Sequence, residues 1–138
     1  MPSVRGLLEC VLYASDLPAA RAFYEGVLGL ACVRDLDDLS LVFRIDAHTV
    51  LLIFNPEISE EPGRSVPSHG ARGPGHLALR INAADFEAWI ERMRSRGVAF
   101  EHVHAWDAGG RSIYVRDPAD NSVELIDHDI WPREPAVR

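Results

Sequence analysis

The sequence is short of cysteine, of long apolar runs and of positive charge, and each shortage removes a class of explanation. Two cysteines, Cys10 and Cys32, occur in 138 residues. That is too few for a disulfide framework or a cysteine zinc site. Both sit in apolar, strand-like runs, where buried reduced thiols are expected. No apolar run approaches the roughly 20 residues that cross a bilayer. The opening MPSVRGLLECVLYASDL is unlike a secretory leader, because its apolar stretch alternates and contains Glu9. A cytoplasmic protein is expected. The net charge of −7 argues against nucleic acid or an anionic membrane surface as partner, since both favour a basic face. No GxGxxG, P-loop, HExxH or nucleophile-elbow pattern occurs. A small molecule remains, for which total charge says little because the charge of a pocket is local.

The apolar fraction of 47% supplies core enough for one domain or two half-domains. Residues 7–14 (LLECVLYA) read as a strand. A helix follows in SDLPAARAFYEGVLGL, capped by Ser15 or Asp16, with Pro18 in its first turn. Ala20, Phe23, Tyr24 and Val27 form its apolar stripe, and Gly29 ends it. Strands are expected at 30–34, 40–45 and 49–54. Residues 56–74 are rich in Pro, Gly, Ser and charge and read as a linker or lid loop. The order then recurs. A strand at 75–81 leads to a helix at about 84–96, with Phe86, Trp89, Ile90 and Met93 inward and Gly97 closing it. Strands are expected at 98–104, 111–116 and 122–127, the last two joined by the turn DPADN.

One offset lays Glu9 on His76, Asp16 on Ala83 and Phe23 on Ile90. The chain is therefore an internal repeat. The expected fold class is α+β, two βαβββ modules whose curved mixed sheets form a cupped site. The modules are residues 1–55 and 75–128, with the linker at 56–74 and a C-terminal tail at 129–138. Ligands favour concave places.

Three ionisable residues stand in strands where apolar ones are expected: Glu9 in LLECVLY, His76 in GHLALRI and Glu124 in NSVELID. Singly, each has a plain explanation as an edge-strand, structural or outward-facing residue. Together, an imidazole and two carboxylates suit a divalent ion such as Mn, Fe, Co, Ni or Zn, and burying them otherwise is costly. The DPADN hairpin pairs Arg116 with Ser122, Val115 with Val123 and Tyr114 with Glu124, so Tyr114 and Ser112 are expected beside Glu124. Substrate-binding candidates are Tyr114, Ser112, Arg111, His69 in the linker and Trp106. Arg80 shares a strand face with His76. His48, His102, His104 and His128 lie near strand ends and are expected in solvent.

The segments LLECVLYASDLPAARAFYEGVLGL, GPGHLALRI and SIYVRDPADNSVELID resemble the vicinal-oxygen-chelate superfamily. This superfamily includes glyoxalases, fosfomycin-modifying enzymes, bleomycin-resistance proteins and extradiol dioxygenases. The resemblance covers residues 6–55 and 72–128. It implies metal ligands at Glu9, His76 and Glu124, with Glu9 a candidate base. It also implies a homodimer and a small, vicinally oxygenated substrate. The glyoxalase I pattern has a further Glu on the last strand of the first module, which the alignment lays on Leu51. The implied function is a metal-dependent enzyme of the glyoxalase/dioxygenase type, using Lewis-acid catalysis in isomerase, lyase or addition chemistry. The alternative is a metal-free antibiotic- or small-molecule-binding protein of the bleomycin-resistance type. A domain that has kept the fold without chemistry is a third reading.

Overall fold

Alternation of apolar residues decides which face of each strand is covered. In β1 (Glu9–Tyr13), Cys10 and Leu12 share one face, and Glu9, Val11 and Tyr13 the other. The covered face meets a helix that the sequence starts and stops explicitly. The Asp16 carboxylate accepts the Ala19 amide at 2.9 Å, and Pro18 occupies the first turn of α1 (Leu17–Arg21). The helix continues as a π-helical turn over Ala22–Val27, in which the Leu28 amide donates to the Phe23 carbonyl at 3.0 Å. Within this wider turn the consecutive Phe23 and Tyr24 are both buried, edge to face at 5.0 Å. Gly29 ends it at φ +74°, a conformation that costs glycine little.

The computed structural model describes residues 1–133; the last five residues of the expected 129–138 tail lie outside them. After the helix come β2 (Ala31–Asp35), β3 (Ser40–Arg44) and β4 (Val50–Phe54), then the short α2 (Pro56–Ser59). The second run is β5 (His76–Arg80), a 3₁₀ turn at Ala83–Asp85, α3 (Phe86–Ser95), β6 (Phe100–Ala105), β7 (Arg111–Arg116) and β8 (Ser122–Ile126). The sheets have the same order, β1-β4-β3-β2 and β5-β8-β7-β6. In each, the first strand pairs in parallel with the last, and the remaining pairs are antiparallel. This is the α+β class with two βαβββ modules.

By contacts the chain divides into two units. One is residues 1–75 with 117–121; the other is residues 76–116 with 122 onward. In the first, the rows Cys10–Leu51–Phe43 and Leu12–Ile53–Leu41 form the covered face, and Phe43, Leu51 and Ile53 are fully buried. In the second, Leu77–Val123–Val115 and Leu79–Leu125–Ile113 do the same. Phe86 and Met93 of α3 are buried with them. Burying each such side chain is worth about 1.5–3 kcal/mol. On the other face of the first sheet, Tyr13 and Phe54 meet His69 of the linker, which is tied to Ser59 of α2.

Three expectations change. Cys10 and Cys32 are free but half-buried rather than enclosed, since each strand has one uncovered face or edge. The linker is not featureless: it opens with α2, where the Asn55 side chain accepts the Glu57 amide at 3.1 Å. The first-module counterpart of Glu124 is Leu52, not Leu51. Glu9 pairs with Val50 and His76 with Ser122, so Leu52 and Glu124 occupy the same register. Leu51 points into the core, because a one-residue slip exchanges the two faces of a strand.

Candidate metal and substrate site

The open face of the second sheet is set by strand pairing. Glu124 of β8 lies between Ala78 of β5 and Tyr114 of β7, and Tyr114 is followed by His102 of β6. The neighbouring rows bring His76 and Arg80 from β5, Ser112 from β7 and His104 from β6 to the same face.

Glu124 is buried at 5% exposure, and its two oxygens are treated differently. Oε1 accepts the Ser112 hydroxyl at 2.6 Å and the Tyr114 hydroxyl at 2.9 Å. Burial first, then the hydrogen bond and charge of Glu124, push the Tyr114 phenol above its usual pKa, which keeps it a donor. The Trp106 indole N–H donates to Ser112 Oγ at 2.7 Å. An indole can only donate, so Ser112 accepts from Trp106 and sends its own proton to Glu124. Oε2 is left facing His76 Nε2 at 3.3 Å.

The other ring nitrogen of His76 fixes the chemistry of that contact. Nδ1 lies 3.1 Å from the Ser122 carbonyl, which can only accept, so Nδ1 carries hydrogen. In a neutral ring Nε2 then presents a lone pair to a carboxylate lone pair. The pair calls for positive charge between the two atoms, either a proton on Nε2 or a shared cation. The donor set fits a divalent first-row ion: one imidazole nitrogen and one carboxylate oxygen. Their separation is one that two donors can have when each lies about 2.1 Å from the same ion. The ring N–H held by a backbone carbonyl and the second carboxylate oxygen held by hydroxyls are the supporting bonds metal ligands use.

Glu9 opens β1 in the first unit, is exposed, and takes part in no hydrogen bond or ion pair among the described residues. No group of three His, Cys, Asp or Glu able to hold a metal stands together among the described residues. The other expected site residues fall in three places. Ser112, Tyr114 and Trp106 gather with Glu124. Arg111 is on the opposite face: its guanidinium lies 3.8 Å over the Phe86 ring, with Nε 3.0 Å from Asp127 and Nη1 3.3 Å from Glu87. His69 is fastened within the first unit. It shares a 2.7 Å hydrogen bond with the Tyr13 hydroxyl and meets the Phe54 ring edge-on at 4.6 Å, and its carbonyl accepts the Ser59 hydroxyl at 2.7 Å.

His102 is exposed, as expected, and His104 is half-buried; both lie on this open face. The signal was present in FEHVHA, where histidines alternate with Val103 at strand period opposite Tyr114 and Ser112. The Trp106–Ser112 bond had no signal, because it depends on the bend after β6.

The family profile described as the Glyoxalase/Bleomycin resistance protein/Dioxygenase superfamily matches residues 6–125, and the chain belongs to that superfamily. A crystal structure of lactoylglutathione lyase from Agrobacterium tumefaciens is similar to it at 36% identity and TM-score 0.87, covering 96% of this chain and 100% of that one. The fosfomycin resistance protein FosX from Mesorhizobium loti shares the fold at 23% identity and TM-score 0.66, over 93% and 96% of the two chains. The oxidase ChaP-H2 does so at 21% identity and TM-score 0.70, over 92% and 96%. No curated protein matches the chain. No helix among the described residues is long and apolar enough to cross a membrane.

Proposed function

We propose that this protein is a metal-dependent enzyme of the glyoxalase/dioxygenase type, acting on a small substrate with two neighbouring oxygens. The observation that carries the reading is the His76–Glu124 pair, in which the two facing atoms call for positive charge and every other polar atom is already satisfied. A divalent ion held there would act as a Lewis acid toward the two substrate oxygens. Zn, Ni, Mn, Fe and Co all suit this donor set. Glu9 is the third ligand in this reading and, once released, a base for a proton next to the substrate carbonyl. The reading includes a cytoplasmic homodimer, as the resemblance implies. Tyr114 and Ser112 hold Glu124 in place, and Tyr114 presents its ring to the substrate. The similarity to lactoylglutathione lyase favours lyase or isomerase chemistry.

A metal-free sequestering protein of the bleomycin-resistance type is the rival, since the superfamily to which the chain belongs is named for such proteins as well as for enzymes. Thermal unfolding with added Zn²⁺, Ni²⁺ or Mn²⁺ separates the two. The enzyme reading predicts that one of these raises Tm by several degrees and that EDTA reverses it, since an ion at 100 times its Kd adds about 2.7 kcal/mol. A Tm indifferent to all three ions and to EDTA contradicts it.

A further inference from the structure

A single extra residue decides where the histidines of β6 stand. Phe100 pairs with Val115 and His102 with Tyr114, so a bulge lies between them. In an unbroken ladder His102 would pair with Ile113 and share the buried side of the sheet with Phe100. The bulge turns His102 and His104 together onto the open face, opposite Tyr114 and Ser112. Their ring centroids are 5.6 Å apart. Neither imidazole has a hydrogen-bond partner among the described residues. The Trp106 ring meets His104 edge-on at 4.5 Å and steadies it. In the first sheet the register position of His102 is held by Arg34, so the pair belongs to the second module alone.

We propose that His102 and His104 form a second metal site, a two-nitrogen chelate for a late first-row divalent ion, with Cu²⁺ preferred to Ni²⁺ and Zn²⁺. Two imidazoles on one tetrahedral ion have centroids about 5–5.5 Å apart, given a metal–nitrogen distance of about 2.0–2.1 Å. The observed spacing therefore needs only small ring rotations. Both donors are imidazole nitrogens, which puts Cu²⁺ first and disfavours Mn²⁺ and Mg²⁺. No third ligand stands with the pair among the described residues, so water completes the shell and the ion exchanges readily. This site is separate from His76–Glu124. Glu124 and His102 lie in one row two strands apart, about 10 Å across the sheet. Ions that act together on one substrate stand about 3.5–4 Å apart. An ion on β6 thus narrows the open face without joining a two-metal centre, which is the position of an inhibitory ion. The inference does not rest on an ion at His76–Glu124 and stands if that reading fails.

Equilibrium titration with Cu²⁺ tests it. Wild type and His76→Ala, which lacks the imidazole of the other site, are followed by calorimetry and electron paramagnetic resonance in a weakly coordinating buffer. Both are expected to bind one Cu²⁺ per chain with hyperfine splitting from two nitrogens of His102 and His104. In the His76→Ala background, His102→Gln and His104→Gln should each weaken that ion by at least about tenfold, since the second nitrogen binds intramolecularly. Each should leave a one-nitrogen signal. β6 is an edge strand and neither histidine is fully buried, so both variants keep the fold, as circular dichroism checks. No bound Cu²⁺ in His76→Ala, unchanged affinity in both glutamine variants, or a signal without nitrogen splitting overturns the inference. One ion for every two chains also overturns it, because the pair would then bridge copies rather than chelate.

Discussion

The molecule contains two tyrosines that donate to buried carboxylates, and they differ in what is left over. In the first unit the Tyr24 hydroxyl donates to Asp117 Oδ2 at 2.7 Å, and the Asn121 side-chain amide donates to the same oxygen at 3.0 Å. Oδ1 accepts the amides of Ala119 and Asn121 at 2.9 and 2.8 Å. All four acceptor positions are filled. Asn121 closes the group by donating to the Tyr13 carbonyl and accepting the Gly75 amide. In the second unit Tyr114 and Ser112 fill one oxygen of Glu124, and the other oxygen faces only an imidazole nitrogen. A saturated carboxylate is a fastener. One with an oxygen held open can serve as a ligand, the role proposed for Glu124. A tyrosine–carboxylate pair is closed in one place and left with an open oxygen in the other, and the difference is the count of donors around the carboxylate.

The largest expected effect lies in the closed group. Asp117→Ala strands one hydroxyl, one side-chain amide and two backbone amides, and should lower stability by about 3–5 kcal/mol in urea unfolding. Tyr24→Phe removes one bond to the same carboxylate and should cost about 1.5–3 kcal/mol. Burial first, then Asp117, pushes the Tyr24 phenol well above its usual value. Its stabilising contribution is therefore complete below about pH 10 and is lost as pH rises from there toward the raised folded value, because only the unfolded chain releases the proton. Tyr24→Phe should flatten that alkaline limb. Neither change should touch metal affinity; a parallel loss there would erase the distinction between the two carboxylates.

A smaller effect tests the open group. Trp106→Phe should weaken metal binding about tenfold, the lower end of what supporting bonds contribute. Ser112→Ala should weaken it more, and the double variant should be no worse than Ser112→Ala alone, because Trp106 acts through the serine hydroxyl. Additive losses would mean that Trp106 acts by packing.

Much of the fold was legible in the residues. Period-two apolar alternation, the caps at Asp16 and the glycines at 29 and 97 placed every strand and both longer helices to within a residue or two. The DPADN turn fixed the register that sets Tyr114 opposite Glu124. What was not legible depended on faces and bends rather than on residue types. Leu51 and Leu52 are chemically identical neighbours, and only pairing with β1 shows which shares the face of Glu9. Arg111 is one residue from Ser112 and therefore on the other side of the sheet, over Phe86.

Metal analysis tests the central claim most directly. Wild-type protein, His76→Ala and Glu124→Ala are equilibrated with Zn²⁺, passed through a desalting column and assayed for ion per chain by mass spectrometry. The account predicts close to one ion per chain in the wild type and a loss of at least 90% in both variants, with Asp117→Asn as a control that keeps its ion. Equal content in the wild type and both variants would contradict it.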